Sequence, residues 1–393
     1  MNTGPRVRGY WGFPLAVCGV FLVGCGPAAV FQDQVDPACL EPAWMADVVE
    51  AIDVAAETFR DVLAHVLLEV PLVDGDWADD FGDARFYGPA VLLGLGHQID
   101  SPCLLAFGRA ALEGNRRLIR RGRDRWMSFW LNVPDQLMAA HGLVETHQHE
   151  HQDGDVGLID AVLDRLNAAL EVFDLYPDAL ADSLMSNYGP TTETAGVVAL
   201  NLRYALRIGG DRGPERQAFG LRVIDAVNER VFDVDRGIYL FSSRTTDLHL
   251  YPNTMMITAN CLAYESTGQA RYLERARATF DNIQSLKDPD RHYYRSPYGA
   301  AFMGAQTDDY SSLSSQLYLI IALDMLGQHT GQQRYRQEAL DVLDFVCTHL
   351  RQDGRLLHHW MDGQPARPDD AVDYCSGCNL QALYVMWTLS QQP

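Results

Sequence analysis

Carboxylates are the first candidates for chemistry in this chain. Asp308-Asp309-Tyr310 places two adjacent acids where a long polar loop meets an apolar run. A neighbouring like charge raises the pKa of one member of such a pair, which suits general acid/base work. One of the two is also explained as a helix N-cap. Glu193 follows Tyr188-Gly189-Pro190-Thr191-Thr192 into another apolar run, and Asp373-Tyr374 opens a third. An acid in a first helical turn also complements the helix dipole, so each has a purely structural explanation as well. Cleavage of a glycosidic bond takes two carboxylates, roughly 5–9.5 Å apart across it. Acids at the mouths of different helices could meet that distance, which makes Asp309, Asp308, Glu193 and Asp373 the catalytic candidates, without the sequence singling out a pair.

Aromatic and imidazole side chains cluster near the same loops. His292-Tyr293-Tyr294 and Leu356-Leu357-His358-His359-Trp360 are short aromatic runs, and Tyr188 and Tyr251 flank the starts of two helices. Tyr188, Tyr251, Tyr293, Tyr294, His358, His359 and Trp360 are the candidates for binding a ring-shaped polar ligand by stacking and hydrogen bonding. The same rings would equally cover a small core under the loops.

Other conspicuous residues carry less. Cys103, Cys261 and Cys347 sit in apolar helical runs and read as buried thiols. Cys375-Ser376-Gly377-Cys378 reads as a disulfide or two free thiols. Together with His358 and His359 it has the donor types of a zinc site. The Cys-His adjacency of the lanthionine-cyclase toroids is absent, however, and no metal or other cofactor is expected. His147-Gln148-His149-Glu150-His151 matches no zinc helix spacing and precedes Asp153-Gly154-Asp155, so it reads as a solvated loop. The acidic stretch from Asp74 to Asp80 lacks the closing glutamate of a calcium loop and reads as a rim loop.

The elements that must position these residues are announced by a repeat. Thr267-Gly268-Gln269-Ala270-Arg271-Tyr272 followed by Ala276 matches Thr330-Gly331-Gln332-Gln333-Arg334-Tyr335 followed by Ala339, at an offset of 63 residues. Gly209-Gly210-Asp211 running into Glu215 and Ala218 is a weaker copy. Each begins with a tight turn and opens a helix with apolar residues at helical spacing. A fixed period implies a repeated supersecondary unit, here a helical hairpin.

The same reading along the chain predicts helices near 42–69, 85–97, 103–122, 133–142, 155–173, 188–207, 214–230, 252–267, 270–285, 309–327, 332–350 and 374–389. Twelve helices in six hairpins imply an all-α (α/α)6 toroid; an open solenoid is the alternative. Short turns alternate with long loops at 70–84, 174–187, 231–251, 286–308 and 351–373, and three of these loops carry runs that could be β-hairpins. The long loops would share one face and lead into six inner-helix N-termini around a cup. Helix N-termini and loops on a rigid scaffold are where ligands are usually met.

The N-terminus sets the compartment. Arg6 and Arg8 precede an apolar run from Tyr10 to Gly24, which ends in Leu22-Val23-Gly24-Cys25. This resembles a bacterial lipoprotein signal with its lipobox, and the resemblance implies cleavage before Cys25 and lipidation of that residue. The run is shorter than the ~20 residues of a membrane span. The expected organisation is a signal peptide over 1–24, a linker over 25–41 and a toroid domain over 42–393. The expected location is the cell envelope, with attachment to the membrane through lipid. Formal net charge is −21 over 393 residues, and Lys287 is the only lysine. Such a balance repels nucleic acid, which is excluded as a partner.

The repeated Thr-Gly-Gln-x-Arg-Tyr hairpins and Asp308-Asp309-Tyr310 before an inner helix resemble the six-hairpin glycosidase-like superfamily. That superfamily includes unsaturated glucuronyl hydrolases, α-mannanases and acylglucosamine epimerases. The resemblance covers 190–390 in sequence features and 40–190 in architecture. It implies a sugar-binding cup with carboxylate or histidine acid/base catalysis, and a glycan or oligosaccharide as partner. The alternative from another class is a non-catalytic toroid that binds glycan or protein in envelope assembly.

Overall fold

Helices that are apolar on every side alternate along the chain with helices that carry one apolar stripe, and this alternation sorts them into two rings. The computed structural model describes Cys39 and residues 44–69, 72–73, 76–77, 83–125, 133–175, 190–242, 248–296, 309–365 and 375–391. The helices are α1 Met45–Glu50, α2 Ala56–Ala64, α3 Ala84–Gln98, α4 Pro102–Asp124, α5 Val133–Thr146, α6 Asp155–Val172 and α7 Pro190–Arg207. They continue with α8 Gly213–Arg230, α9 Leu250–Thr267, α10 Ala270–Ile283, α11 Leu313–Thr330, α12 Gln333–His349 and α13 Ser376–Ser390. In α11 every residue from Leu313 to Ile320 is buried, whereas α10 buries only Tyr272, Ala276, Thr279, Phe280 and Ile283, a single stripe.

The inner ring is closed. α3 packs on α5, α5 on α7, α7 on α9, α9 on α11, α11 on α13, and α13 back on α3. Each of α3, α5, α7, α9 and α11 is followed by its outer partner. The sixth hairpin is made by the two ends of the chain, with α13 inside and α2 against it. An open solenoid would not bring α13 to α3. At that seam a Cβ on Gly94 would stand 2.2 Å from the Trp387 ring, so only glycine fits there. Trp387 Nε1 donates to Gln98 Oε1 at 2.9 Å, and Val54 N–H donates to Ser390 Oγ at 3.2 Å.

Two sequence expectations change at the N-terminal side. The single helix expected over 42–69 is broken by Ala55 in the left-handed region (φ 53°) and finishes in a π turn over His65–Glu69. Cys103 is not a thiol: it is disulfide-bonded to Cys39, which ties the approach segment to the start of α4. The partner lies 64 residues away and outside any periodic element, so helical spacing around Cys103 could not reveal it. Cys261, Cys347, Cys375 and Cys378 are in no disulfide among the described residues.

The 63-residue repeat is a repeat of contacts. Gly268 and Gly331 end α9 and α11 at φ 67° and 66°. Thr267 and Thr330 each donate to a carbonyl one turn back and accept from the N–H of Gln269 or Gln332. Arg271 and Arg334 each lie 4.6 Å over the following tyrosine ring, donate to its hydroxyl at 2.7 Å, and pair with an acid of the preceding outer helix, Asp225 or Asp281.

The loops are tied to the N-terminal ends of the inner helices by side-chain amides. Asn253, Gln316 and Asn379 are each the fourth residue of an inner helix. Each accepts from and donates to the backbone of one loop residue, Tyr239, Tyr294 and Leu356 respectively. A side-chain amide thus pairs with the backbone as a strand would. Strands β1 Leu72–Val73 and β2 Asp76–Trp77 pair, as do β3 Phe232–Asp233 and β4 Ile238–Tyr239, whereas His292-Tyr293-Tyr294 makes only an isolated bridge between Tyr294 and Lys287. The 351–365 loop holds β6 Arg351–Gln352, β7 Arg355–Leu356, β8 His359–Met361 and β9 Gln364–Pro365. Strand β5, Tyr310–Ser312, precedes α11 and pairs with β8. Among the described residues no helix is long and apolar enough to cross a membrane.

Candidate active site

Five inner helices converge at their N-terminal ends on a mainly apolar cavity of about 80 Å³. Two carboxyl groups reach it from different helices: Asp83, the residue before α3, and Glu193, in the first turn of α7. Both are buried, Asp83 at 8% and Glu193 at 5% exposure. Thr191 fixes the first turn of α7 by donating to the carbonyls of Leu240 and Phe241, in the loop after β4.

The surroundings tune these groups. Asp83 accepts from the Tyr318 hydroxyl at 2.9 Å. Burial pushes its carboxyl up to about 6, with the Tyr318 bond opposing. Burial and the nearby Asp83 carboxyl push the Tyr318 phenol well above its usual value, so it remains a donor. Tyr251 packs edge-on against Tyr318 at 5.0 Å, in the same wall. His141 places Nε2 3.1 Å from the Gly196 carbonyl, and burial followed by the Arg203 charge pushes it down to about 3. It is therefore a neutral imidazole that donates from Nε2. Arg203 lies 4.9 Å over the Phe86 ring and lines the cavity too. Thr192 Oγ1 and His141 Nδ1 are buried without a hydrogen-bond partner among the described residues. Orphaned polar atoms in a cavity wall mark places for a polar ligand or water.

Of the residues singled out in the sequence, Glu193 and Tyr251 line this cavity. Asp309 does not. It precedes β5 rather than capping α11, where Ser312 is the cap, its Oγ accepting from Ser315 N–H at 3.3 Å. Asp309 accepts from the Tyr293 hydroxyl, and its carboxyl is raised above the usual range by burial, against the pull of Arg291. The expectation that Tyr293, Tyr294 and Trp360 offer open faces for stacking is corrected. Tyr293 and Tyr294 are fully buried and Trp360 nearly so. Tyr293 stacks on Phe345 of α12 at 4.7 Å, Trp360 meets the same ring edge-on, and Tyr294 donates to Glu338. These rings cement a loop to an outer helix.

His359 is likewise buried, with Nδ1 2.9 Å from the Tyr310 hydroxyl. His358 is half-buried and turns to Cys378. Asp308, Asp373, Tyr188 and Cys25 lie outside the described residues. The His147–His151 turn lies at the other end of α5, with His149 and His151 exposed. Its neighbour Asp155 is buried against Arg116, paired through both carboxylate oxygens at 2.9 Å.

Asp83, His141, Arg203 and Tyr318 were missed from the sequence. Asp83 had a usable signal, an acid immediately before an inner helix, the same signal that marks Asp309 and Asp373. It lies in the long loop expected over 70–84, beyond the acidic stretch from Asp74 to Asp80. His141, Arg203 and Tyr318 sit inside helices, where spacing alone does not separate a cavity wall from core.

No protein-family model matches the chain, and no curated protein matches it in sequence. Solved structures do match in shape. The GH76 α-mannanase of Bacteroides thetaiotaomicron superposes with a TM-score of 0.64 at 12% identity, over 89% of this chain and 98% of that one. A glycosyl hydrolase family 88 protein from Bacteroides vulgatus gives 0.58 at 11%, over 85% and 98%. A D-mannose isomerase gives 0.59 at 10%, over 86% and 97%. The likeness spans nearly the full length of each neighbour, and together with the closed inner ring it establishes the architecture: the chain has the six-hairpin glycosidase-like (α/α)6 toroid fold.

Proposed function

We propose that the protein is a cell-envelope lipoprotein that acts on carbohydrate, with glycoside hydrolase-like acid/base chemistry between Asp83 and Glu193. The observation that carries this reading is the convergence of two buried carboxyl groups from different inner helices on one cavity that also holds unpartnered polar atoms. A carboxyl poised near 6 can hold a proton at neutral pH and deliver it to a leaving oxygen. Glu193 is the second carboxylate, acting on the sugar carbon or on a water. Tyr318 orients Asp83. The neighbours named as an α-mannanase and a family 88 glycosyl hydrolase support a sugar substrate.

The test is turnover across a panel of α-mannosides, unsaturated uronides and bacterial envelope glycans, comparing wild type with Asp83→Asn and Glu193→Gln. Product from the wild type but not the variants is the expected result. Turnover retained in both variants refutes the assignment. A second reading, glycan binding without turnover, is favoured by the small volume of the cavity, about 80 Å³. Glycan affinity without product from the wild type would establish it.

The envelope location rests on Leu22-Val23-Gly24-Cys25 after a basic start. Cys25→Ser should release the protein from membranes or block its processing. A variant that is processed normally and stays membrane-bound after alkaline wash rules out lipid attachment at Cys25.

A further inference from the structure

At the start of α13 three metal-ligating side chains, none of them lining the cavity of Asp83 and Glu193, come together from separate parts of the chain. Cys375 is the N-cap of the helix, Cys378 is its third residue, and His358 lies between β7 and β8. Their ligand atoms all lie within 4.8 Å of one another, with His358 Nδ1 3.3 Å from Cys378 Sγ. Both cysteines are buried and reduced, while His358 is half-buried and leaves a way in.

We propose that His358, Cys375 and Cys378 form a binding site for one thiophilic divalent cation, with zinc as the best fit. Zinc held tetrahedrally by thiolates at ~2.3 Å and an imidazole at ~2.0–2.1 Å places sulfur about 3.8 Å from sulfur and about 3.5 Å from nitrogen. The observed spacing approaches this without backbone rearrangement. Among the described residues no fourth His, Cys, Asp or Glu joins the group.

Three features preorganise the site. Cys375 Sγ accepts the Cys378 N–H at 3.1 Å, and a helix N-terminus favours the negative charge of a thiolate. Asn379 follows Cys378 directly and clamps both backbone groups of Leu356, holding the histidine-bearing hairpin against the cysteine-bearing helix. The His358 carbonyl accepts from Leu313 N–H at 2.8 Å, which fixes the third ligand to the start of α11. Metal entry releases the thiol protons to solvent and oxidises nothing. A disulfide between Cys375 and Cys378 would use the same cysteines but has no use for an imidazole at 3.3 Å.

The test uses the full chain, purified with reductant, stripped by a chelator and titrated with cobalt(II) alone. The expected result is a thiolate-to-cobalt charge-transfer band that saturates near one equivalent per chain and is displaced by zinc, as at other sulfur–nitrogen sites. Cys375→Ser/Cys378→Ser should abolish the band. His358→Ala should weaken binding by more than about tenfold, in the range seen when metal sites lose a supporting group. A variant with His147, His149 and His151 all replaced by Ala should bind as the wild type does. The proposal is overturned if reduced, folded wild type gives no thiolate band. It is also overturned if His358→Ala binds with unchanged affinity, or if thiol trapping in cells finds Cys375 and Cys378 already joined as a disulfide.

Discussion

The hydroxyl of Tyr318 on α11 donates to the carboxyl of Asp83 at 2.9 Å and joins the fifth inner helix to the threshold of the first. The two residues are separated by 235 positions in sequence. The contact exists because the inner ring closes; burial in that ring raises the Asp83 carboxyl to about 6, and the Tyr318 bond opposes the rise.

A pH signature follows. The folded-state pKa of Asp83 is raised above its unfolded value, so the native state binds the proton more tightly. Between about pH 4 and 6 the unfolded chain loses this proton first, and the contribution to stability falls as pH rises through that window. A shift of about two units corresponds to at most about 3 kcal/mol. Urea denaturation at pH 4 and pH 7 should show this loss in the wild type and a smaller one in Asp83→Asn. Equal pH dependence in the two proteins would mean that Asp83 is not the buried acid described.

Activity and stability should therefore separate at this position. Asparagine keeps the shape and accepts from Tyr318 while removing the ionisable group. Asp83→Asn is expected to fold at least as well as wild type at pH 7 and to lose roughly 10²–10⁴ in kcat, the usual share of a general acid. Glu193→Gln should lose a comparable amount. Asp309→Asn lies outside the cavity and should stay within about tenfold of the wild type, since it removes no proton donor from the reacting centre. Steady-state kinetics on any glycan that is turned over ranks the three variants. An Asp309 defect larger than the Asp83 defect would move the chemistry to the rim.

The seam between α3 and α13 can be tested by volume. Gly94→Ala places a methyl 2.2 Å from the Trp387 ring. Overpacking of this kind costs about 1–3 kcal/mol. Trp387→Ala alone should also destabilise, by cavity formation. The double variant should be less destabilised than the sum, because the second change removes the clash made by the first. Thermal denaturation of the four proteins gives the coupling, and strict additivity would mean that the contact is not formed.

Loss of the Cys39–Cys103 bridge should be felt by the whole fold. Closing a loop of this length is worth about 4 kcal/mol in the chain-entropy account. Cys39→Ser/Cys103→Ser should lower the denaturation midpoint in urea accordingly, with a steeper slope because the uncrosslinked denatured chain exposes more surface. An unchanged midpoint would mean that the pair is reduced in the protein as isolated.

The ring was legible in the sequence because its signals are local. Thr267 and Thr330 mark equivalent turns, and the uniform apolarity of the stretch from Leu313 marks an inner helix. The site was half legible. Glu193 and Tyr251 stand at helix starts and were found by position. Asp83 carries the same positional signal, but its importance comes from Tyr318, a contact across the ring that spacing does not encode. Tyr293 and Trp360 show the converse. An aromatic residue in a long loop has the same local pattern whether it faces the cup or packs onto an outer helix, and Phe345 decides the outcome from α12. The meeting of His358 with Cys375 and Cys378 depends on the Asn379 clamp, another long-range contact.

The sixth hairpin has its two arms at opposite ends of the polypeptide. During synthesis, the first helices emerge with one flank of α3 uncovered, and the 277 residues between Gln98 and Ser376 must follow before α13 arrives to cover it. A truncated product, or one stalled before Ser376, would therefore present an unclosed apolar flank at both of its edges, a surface that chaperones and proteases can recognise.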